Sequence, residues 1–130
     1  AAAKAAGVAD RVMLSQAAFE RFDFPESYDA VYSGFSLPFC PESEFEDIWW
    51  RLRDSLKPGG VLAFQLFGDR DGWANCPEHA DDACFHSRAQ VERFLEGTER
   101  LFDDEVEKDG HTALGEAKYW HVFHLIVRQP

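Results

Sequence analysis

The sequence predicts an α/β fold built on a parallel strand pair. Three observations carry this expectation. Tyr28 to Tyr32 and Val61 to Phe67 are apolar, strand-like segments; a helix-patterned stretch separates them; and Leu56-Lys57-Pro58-Gly59-Gly60 stops that helix just before the second strand. Strand, crossover helix and strand make a βαβ unit, whose strands must run parallel. Open parallel sheets bind ligands at the carboxyl ends of their strands, which places Ser33 to Phe39 and Gly68 onward at the expected crevice.

Each element has its own local reason. Ala1 to Ala6 reads as the end of a helix closed by Gly7, a residue suited to the left-handed cap. Arg11 to Ser15 reads as a short strand, with a loop or short helix running on to Phe24-Pro25. After the strand Tyr28 to Tyr32, Ser43-Glu44-Phe45-Glu46 has the spacing of a capping box. Phe45, Ile48, Trp49, Leu52 and Leu56 recur at helical spacing and make one apolar stripe. Arg51, Arg53 and Lys57 fall late in that helix, where they complement its dipole. Val61 to Phe67 is almost continuously apolar, as a strand covered on both faces should be. Gly68 to Phe85 is polar, acidic and irregular. Ser87 and Gln90 form a second capping box, followed by Val91, Phe94 and Leu95 and a stop at Gly97. Leu101 to Glu107 is a weak strand, Lys108 to Lys118 a loop around Asp109-Gly110, and Tyr119 to Arg128 a strong final strand. The last two are expected to be antiparallel neighbours, because too few residues separate them for a crossover.

Composition narrows the function classes. The 130 residues allow one domain or part of one, and 45% hydrophobic content with twelve Phe and four Trp excludes a disordered chain. The formal net charge is −11 and no Lys/Arg cluster occurs, which argues against nucleic acid or an anionic membrane surface as partner. No apolar run approaches a membrane span and no signal peptide is visible. Three cysteines, an odd number, read as thiols of a reducing cytoplasm and not as a disulfide framework. The chain opens inside an element and without Met, so it is read as N-terminally truncated.

From these residues the chain resembles a class I S-adenosylmethionine-dependent methyltransferase, from that family's third strand onward and over nearly the whole length. The features are the approach Gly7-Val8-Ala9-Asp10-Arg11-Val12, the fourth strand Tyr28-Asp29-Ala30-Val31, and Leu56-Lys57-Pro58-Gly59-Gly60 before the fifth. The resemblance implies a Rossmann-like sheet with flanking helices and a C-terminal antiparallel strand pair, residues 1–130 forming one partial domain. Strands one and two, with the glycine-rich loop that grips the cofactor, are then absent. It implies S-adenosylmethionine as cofactor, with Ala18 at the usual acid position and Phe19 against the adenine. Ser33, Gly34 and Phe35 would face the methionine part, where the ring of Phe35 or Tyr32 favours a sulfonium as a cation–π contact. Substrate contacts are expected from Leu37 and Phe39 in Leu37-Pro38-Phe39, and from Trp73 in the Asp69 to Phe85 segment. The implied acceptor is a small molecule, in the cytoplasm. Methyl transfer leans on proximity and orientation, and no general base is identifiable. In the family's order the missing strands lie between strands three and four, so Arg11 to Ser15 either closes up beside Tyr28 to Tyr32 or hangs loose. The truncated chain alone is expected to be inactive and to bind no cofactor measurably.

The same residues admit other readings. A non-catalytic fragment or interaction module would keep the α/β shell without cofactor. Cys76, His79, Cys84 and His86 suggest a zinc-stabilised domain, but Cys84-x-His86 is a poor pair for a tetrahedral site. An ordinary acidic loop is preferred, and no metal is assigned. His121 and His124 are three apart in a strand, so they point to opposite faces and cannot share one metal; each reads first as a hydrogen-bonded core histidine, with a substrate-side His near Trp120 as the alternative. His111 carries no signal, and the runs Asp81-Asp82 and Asp103-Asp104-Glu105 read as solvated surface.

Overall fold

In a computed structural model, residues 1–130 are described, the side chain of Glu20 excepted. The helices are α1 (Ala2–Ala5), α2 (Glu42–Asp54) and α3 (Arg88–Leu95). The strands are β1 (Tyr28–Ser33), β2 (Leu56–Gly68), β3 (Phe85–His86), β4 (Glu99–His111) and β5 (Ala117–Arg128). The main path of the sheet is β1-β2-β5-β4. β1 and β2 are parallel, as the βαβ reading requires, and β5 is antiparallel to both β2 and β4. β3 pairs with Phe67 and Gly68 of β2, beyond the point where β1 ends. Among the described residues, no helix is long and apolar enough to cross a membrane.

Alternation along the strands sorts the side chains to two faces. Leu62, Phe64 and Leu66 of β2 and Phe123, Leu125 and Val127 of β5 are buried against α2 and α3. α2 contributes Phe45, Ile48, Trp49 and Leu52, the predicted stripe, and α3 contributes Val91, Phe94 and Leu95. Arg53 ties the layer together: it donates to the carbonyls of Phe94 and Glu96 and to Gln129 Oε1. Burial lowers its pKa. The opposite face carries only a small cluster at one end, Phe67, Ala83 and Val122 with Trp73, Phe85 and Trp120. Over the rest of that face Tyr32, Phe35 and Phe102 are exposed.

The capping box at Ser87 is present: Ser87 Oγ accepts from Gln90 N, and Gln90 Oε1 from Ser87 N. Four local expectations are corrected. Arg11 to Ser15 is not a strand; a 3-10 turn covers Ala9–Arg11, and Met13 and Leu14 are 89% and 92% exposed. The segment joins no strand of the sheet, so its apolar residues stay at the surface. Ser43 is not the cap of α2, because Pro41 takes that position and the helix starts at Glu42, leaving Ser43 within the first turn. Leu56 and Lys57 belong to β2, since the helix ends at Asp54. The β4–β5 turn is not at Asp109-Gly110: it lies between His111 and Ala117, where Gly115 has φ +83°. Gly110 pairs with Lys118 inside β4, and its lack of a side chain leaves room for the Trp120 indole, which a Cβ would meet at 2.9 Å.

Candidate functional site

The candidate site is the carboxyl end of β1 and β2. β1 gives way to a turn in which Ser33 Oγ lies 2.7 Å from Ser36 Oγ and accepts from Leu37 N at 3.2 Å. A 3-10 turn, Leu37–Phe39, follows. Phe35 takes φ +51°, a left-handed conformation costly for a residue with a Cβ. Its N–H donates to Gln65 Oε1 at 2.8 Å, and its ring packs edge-on against His124 at 5.9 Å. The strained residue is therefore held from β2 and β5 together.

The expected site residues fall into two groups. Phe19, Ser33 and Leu37 line one cleft of about 220 Å³ with Phe22, Phe24 and Val31. Within it Leu37 is buried at 2% exposure, so as a substrate contact it offers an edge only, and the Ser33 hydroxyl is spent on the turn. Ala18 is exposed and lines a separate shallow groove with Gln16, Ala17 and Arg21. Gly34 is exposed and packs beside the Tyr32 ring. Phe35 lines a second hollow of about 300 Å³ on the barer face, with Val106, Lys108, Trp120, Val122 and His124. Phe39 and Trp73 meet through Phe67, at 5.6 and 6.0 Å between ring centroids.

The residues considered for zinc separate. Cys84 is buried by the Leu37 carbonyl, and burial pushes its thiol up to about 12. His86 is buried among Phe45 and Phe94. Among the described residues the atoms that converge are those of Cys76, Glu78 and His79, within 4.8 Å of one another.

The histidines divide as their spacing requires. His121 is fully buried; its Nδ1 accepts from Arg70 N at 3.0 Å, and its Nε2 lies 2.8 Å from Glu105 Oε1. Those partners make Nε2 the protonated nitrogen of the neutral ring. His86 is the opposite case, with Nε2 buried and unpartnered. Desolvation lowers its pKa to about 4, so it folds neutral. The unfolded chain then binds more protons between about pH 6.5 and pH 4, and stability falls as pH drops through that window. Between pH 7 and pH 5 the expected loss is about 2 kcal/mol. Denaturant titrations of wild type and His86→Leu at both pH values check this: the variant should lose that much less.

Sequence reasoning missed the best-formed cluster at this end of the sheet. Asp71 Oδ2 accepts from Lys118 Nζ at 2.7 Å and from His121 N at 3.0 Å, while Oδ1 accepts from Trp73 N at 3.0 Å. Both side chains of the Asp71–Lys118 pair are fully buried. Lys118 Nζ lies 4.6, 4.4 and 3.6 Å from the ring centroids of Phe67, Trp73 and Trp120. Burial lowers the Lys118 pKa, against the opposing effect of Asp71. The one available signal was spacing: Lys118, Trp120 and Val122 alternate onto a single apolar face.

No family model matches the chain, and no curated protein matches its sequence. Solved structures do match in fold. TehB from Haemophilus influenzae superposes with TM-score 0.72 at 13% identity, over 89% of this chain and 40% of that one. The 1,6-didemethyltoxoflavin-N1-methyltransferase of Burkholderia thailandensis, solved with 1,6-didemethyltoxoflavin and S-adenosylhomocysteine, gives 0.65 at 12% identity, over 98% and 55%. The [4+2]-cyclase SpnF gives 0.65 at 17%, over 99% and 60%. The chain thus has the Rossmann-like fold of class I S-adenosylmethionine-dependent methyltransferases, and it spans about half the length of the structures it matches. That one of them is a cyclase separates fold from reaction.

Proposed function

We propose that this chain, carrying the class I methyltransferase fold, is the acceptor-side part of an enzyme that moves a methyl group from S-adenosylmethionine to a small molecule. The observation that supports the reading most is the Ser33–Phe39 turn: a left-handed Phe35, locked by Gln65, at the carboxyl end of a parallel strand. Strained backbone persists where the surroundings over-determine it, commonly at ligand sites. The aromatic surfaces of Phe19, Tyr32 and Phe35 suit an adenine and a sulfonium. A grip on the rest of the cofactor is not built from these residues, and we assign it to chain outside Ala1–Pro130. The sparsely covered sheet face, where Tyr32 and Phe102 stand exposed, supports that assignment. When bound, the cofactor supplies an electrophilic methyl group. The residues here orient the acceptor and exclude water, which is where most of the rate for such a transfer arises.

The test extends the chain by the coding sequence found upstream in its gene. Micromolar S-adenosylmethionine binding by calorimetry is expected, and Phe35→Ala should weaken it about tenfold, or ~1.4 kcal/mol. An upstream sequence with no glycine-rich loop after an apolar strand would sink the reading.

A further inference from the structure

We propose that Phe67, Trp73, Trp120 and Asp71 form a binding site for an alkylammonium group, in which Lys118 is the resident occupant and a cationic small molecule the competing one. The proposal rests on the methyltransferase reading only for its last step, that this cation belongs to the methyl acceptor.

The geometry is that of a cage. Three ring faces surround one nitrogen at 3.6 to 4.6 Å, and a carboxylate lies 2.7 Å away. The rings are mutually inclined, with Phe67 and Trp73 at 90° and Trp73 and Trp120 at 45°. Their negative faces therefore converge from different directions on the same point. An ion pair needs none of this. A buried Asp–Lys pair commonly stabilises no more than apolar residues of the same volume, so folding alone does not account for a cation enclosed by three aromatic rings.

The position suits a ligand. The cage lies at the carboxyl end of β2, and Phe39 of the 33–39 turn touches its Phe67 wall at 5.6 Å. Two of its walls, Trp73 and Trp120, are half-buried and not sealed in the core. Trp73 rides on the irregular segment between Gly68 and Phe85, whose backbone ties to the sheet include Asp69 N to the His86 carbonyl and Gly72 N to the Tyr119 carbonyl. Lys118 stands one residue into β5, next to the exposed turn before Ala117, so the buried side chain starts close to the surface of the sheet end. When it leaves, Asp71 keeps the N–H groups of Trp73 and His121, and an incoming ammonium restores the missing charge. The chain's net charge of −11 favours the approach of a cation.

Tetramethylammonium is the probe, with 3,3-dimethylbutanol as its neutral counterpart. In Lys118→Ala, tryptophan fluorescence should report saturable tetramethylammonium binding at least tenfold tighter than in wild type, and none for the alcohol. In wild type, acetic anhydride followed by mass spectrometry should find Lys118 protected, and saturating tetramethylammonium should raise its acetylation at least fivefold. A folded Lys118→Ala protein that treats cation and alcohol alike overturns the proposal, as does unchanged Lys118 protection in wild type. Should the variant fail to fold, the wild-type labelling decides. Neither measurement contains cofactor, so failure here leaves the methyltransferase reading untouched, and failure of that reading leaves the cage standing.

Discussion

Gly68→Ala should destabilise the protein by roughly 3 kcal/mol or more, at the upper end of what overpacking costs. A Cβ on Gly68 would fall closer than 3.0 Å to Nδ1, Cε1 and Cγ of the His121 ring. Neither side can yield. Gly68 is the last residue of β2, paired with His86, and the imidazole is fixed at both nitrogens by Arg70 N and Glu105. Native domains hold only about 5–15 kcal/mol in total, so the variant is expected to sit near the limit of folding. The diagnostic is non-additivity in urea titrations. His121→Ala alone costs stability through its cavity and the stranded Arg70 N–H, but Gly68→Ala should add almost nothing in that background. A single Gly68→Ala change costing under about 0.5 kcal/mol would show that the histidine does not lie against this glycine.

Asp71→Ala should cost about 3–5 kcal/mol, because it leaves a buried ammonium and two backbone N–H groups without their acceptor. Lys118→Met should cost less. In the Asp71→Ala background it should be stabilising, a reversal of sign that marks the two as one unit. The pH dependence follows from Lys118, whose pKa burial already holds below its ordinary value. A lowered lysine pKa means the unfolded chain binds the extra proton, so stability from this group rises as pH climbs toward 10.5. Without Asp71 the pKa falls further, the window widens, and the deficit of Asp71→Ala should be smaller at pH 10 than at pH 7. Equal deficits at both values would remove Lys118 from the account.

What was legible in the sequence was what local periodicity and local hydrogen bonding decide. The α2 stripe needs only 3.6-residue spacing, and the Ser87–Gln90 box needs only residues three apart. The parallel pair was legible because a helix of that length between two apolar strands leaves little else to build. Misreadings arose where a neighbour overrode a local signal. Asp109-Gly110 is the stronger turn dipeptide, yet both residues pair with β5, where the bare Gly110 leaves room for the Trp120 indole, and the turn moves to Gly115. Arg11 to Ser15 has strand-like residues and nothing to pair with. The site was legible as a place and not as a mechanism. Ser33 and Phe35 stand at the expected strand end, but the Asp71–Lys118 unit joins residues 47 apart, which no spacing rule connects.

The acidity of the chain has one more consequence, for how copies of it meet. β4 is an outer strand, and Glu99, Asp103, Asp104, Glu105, Glu107 and Asp109 line it on both faces. An outer strand offers a row of backbone donors and acceptors to any second strand that arrives, and like charges along its length are a standard defence. Two such strands brought together would set several of these carboxylates against one another along the shared edge. At this edge of the sheet, the acidity that sets the chain's net charge works against growth by strand addition.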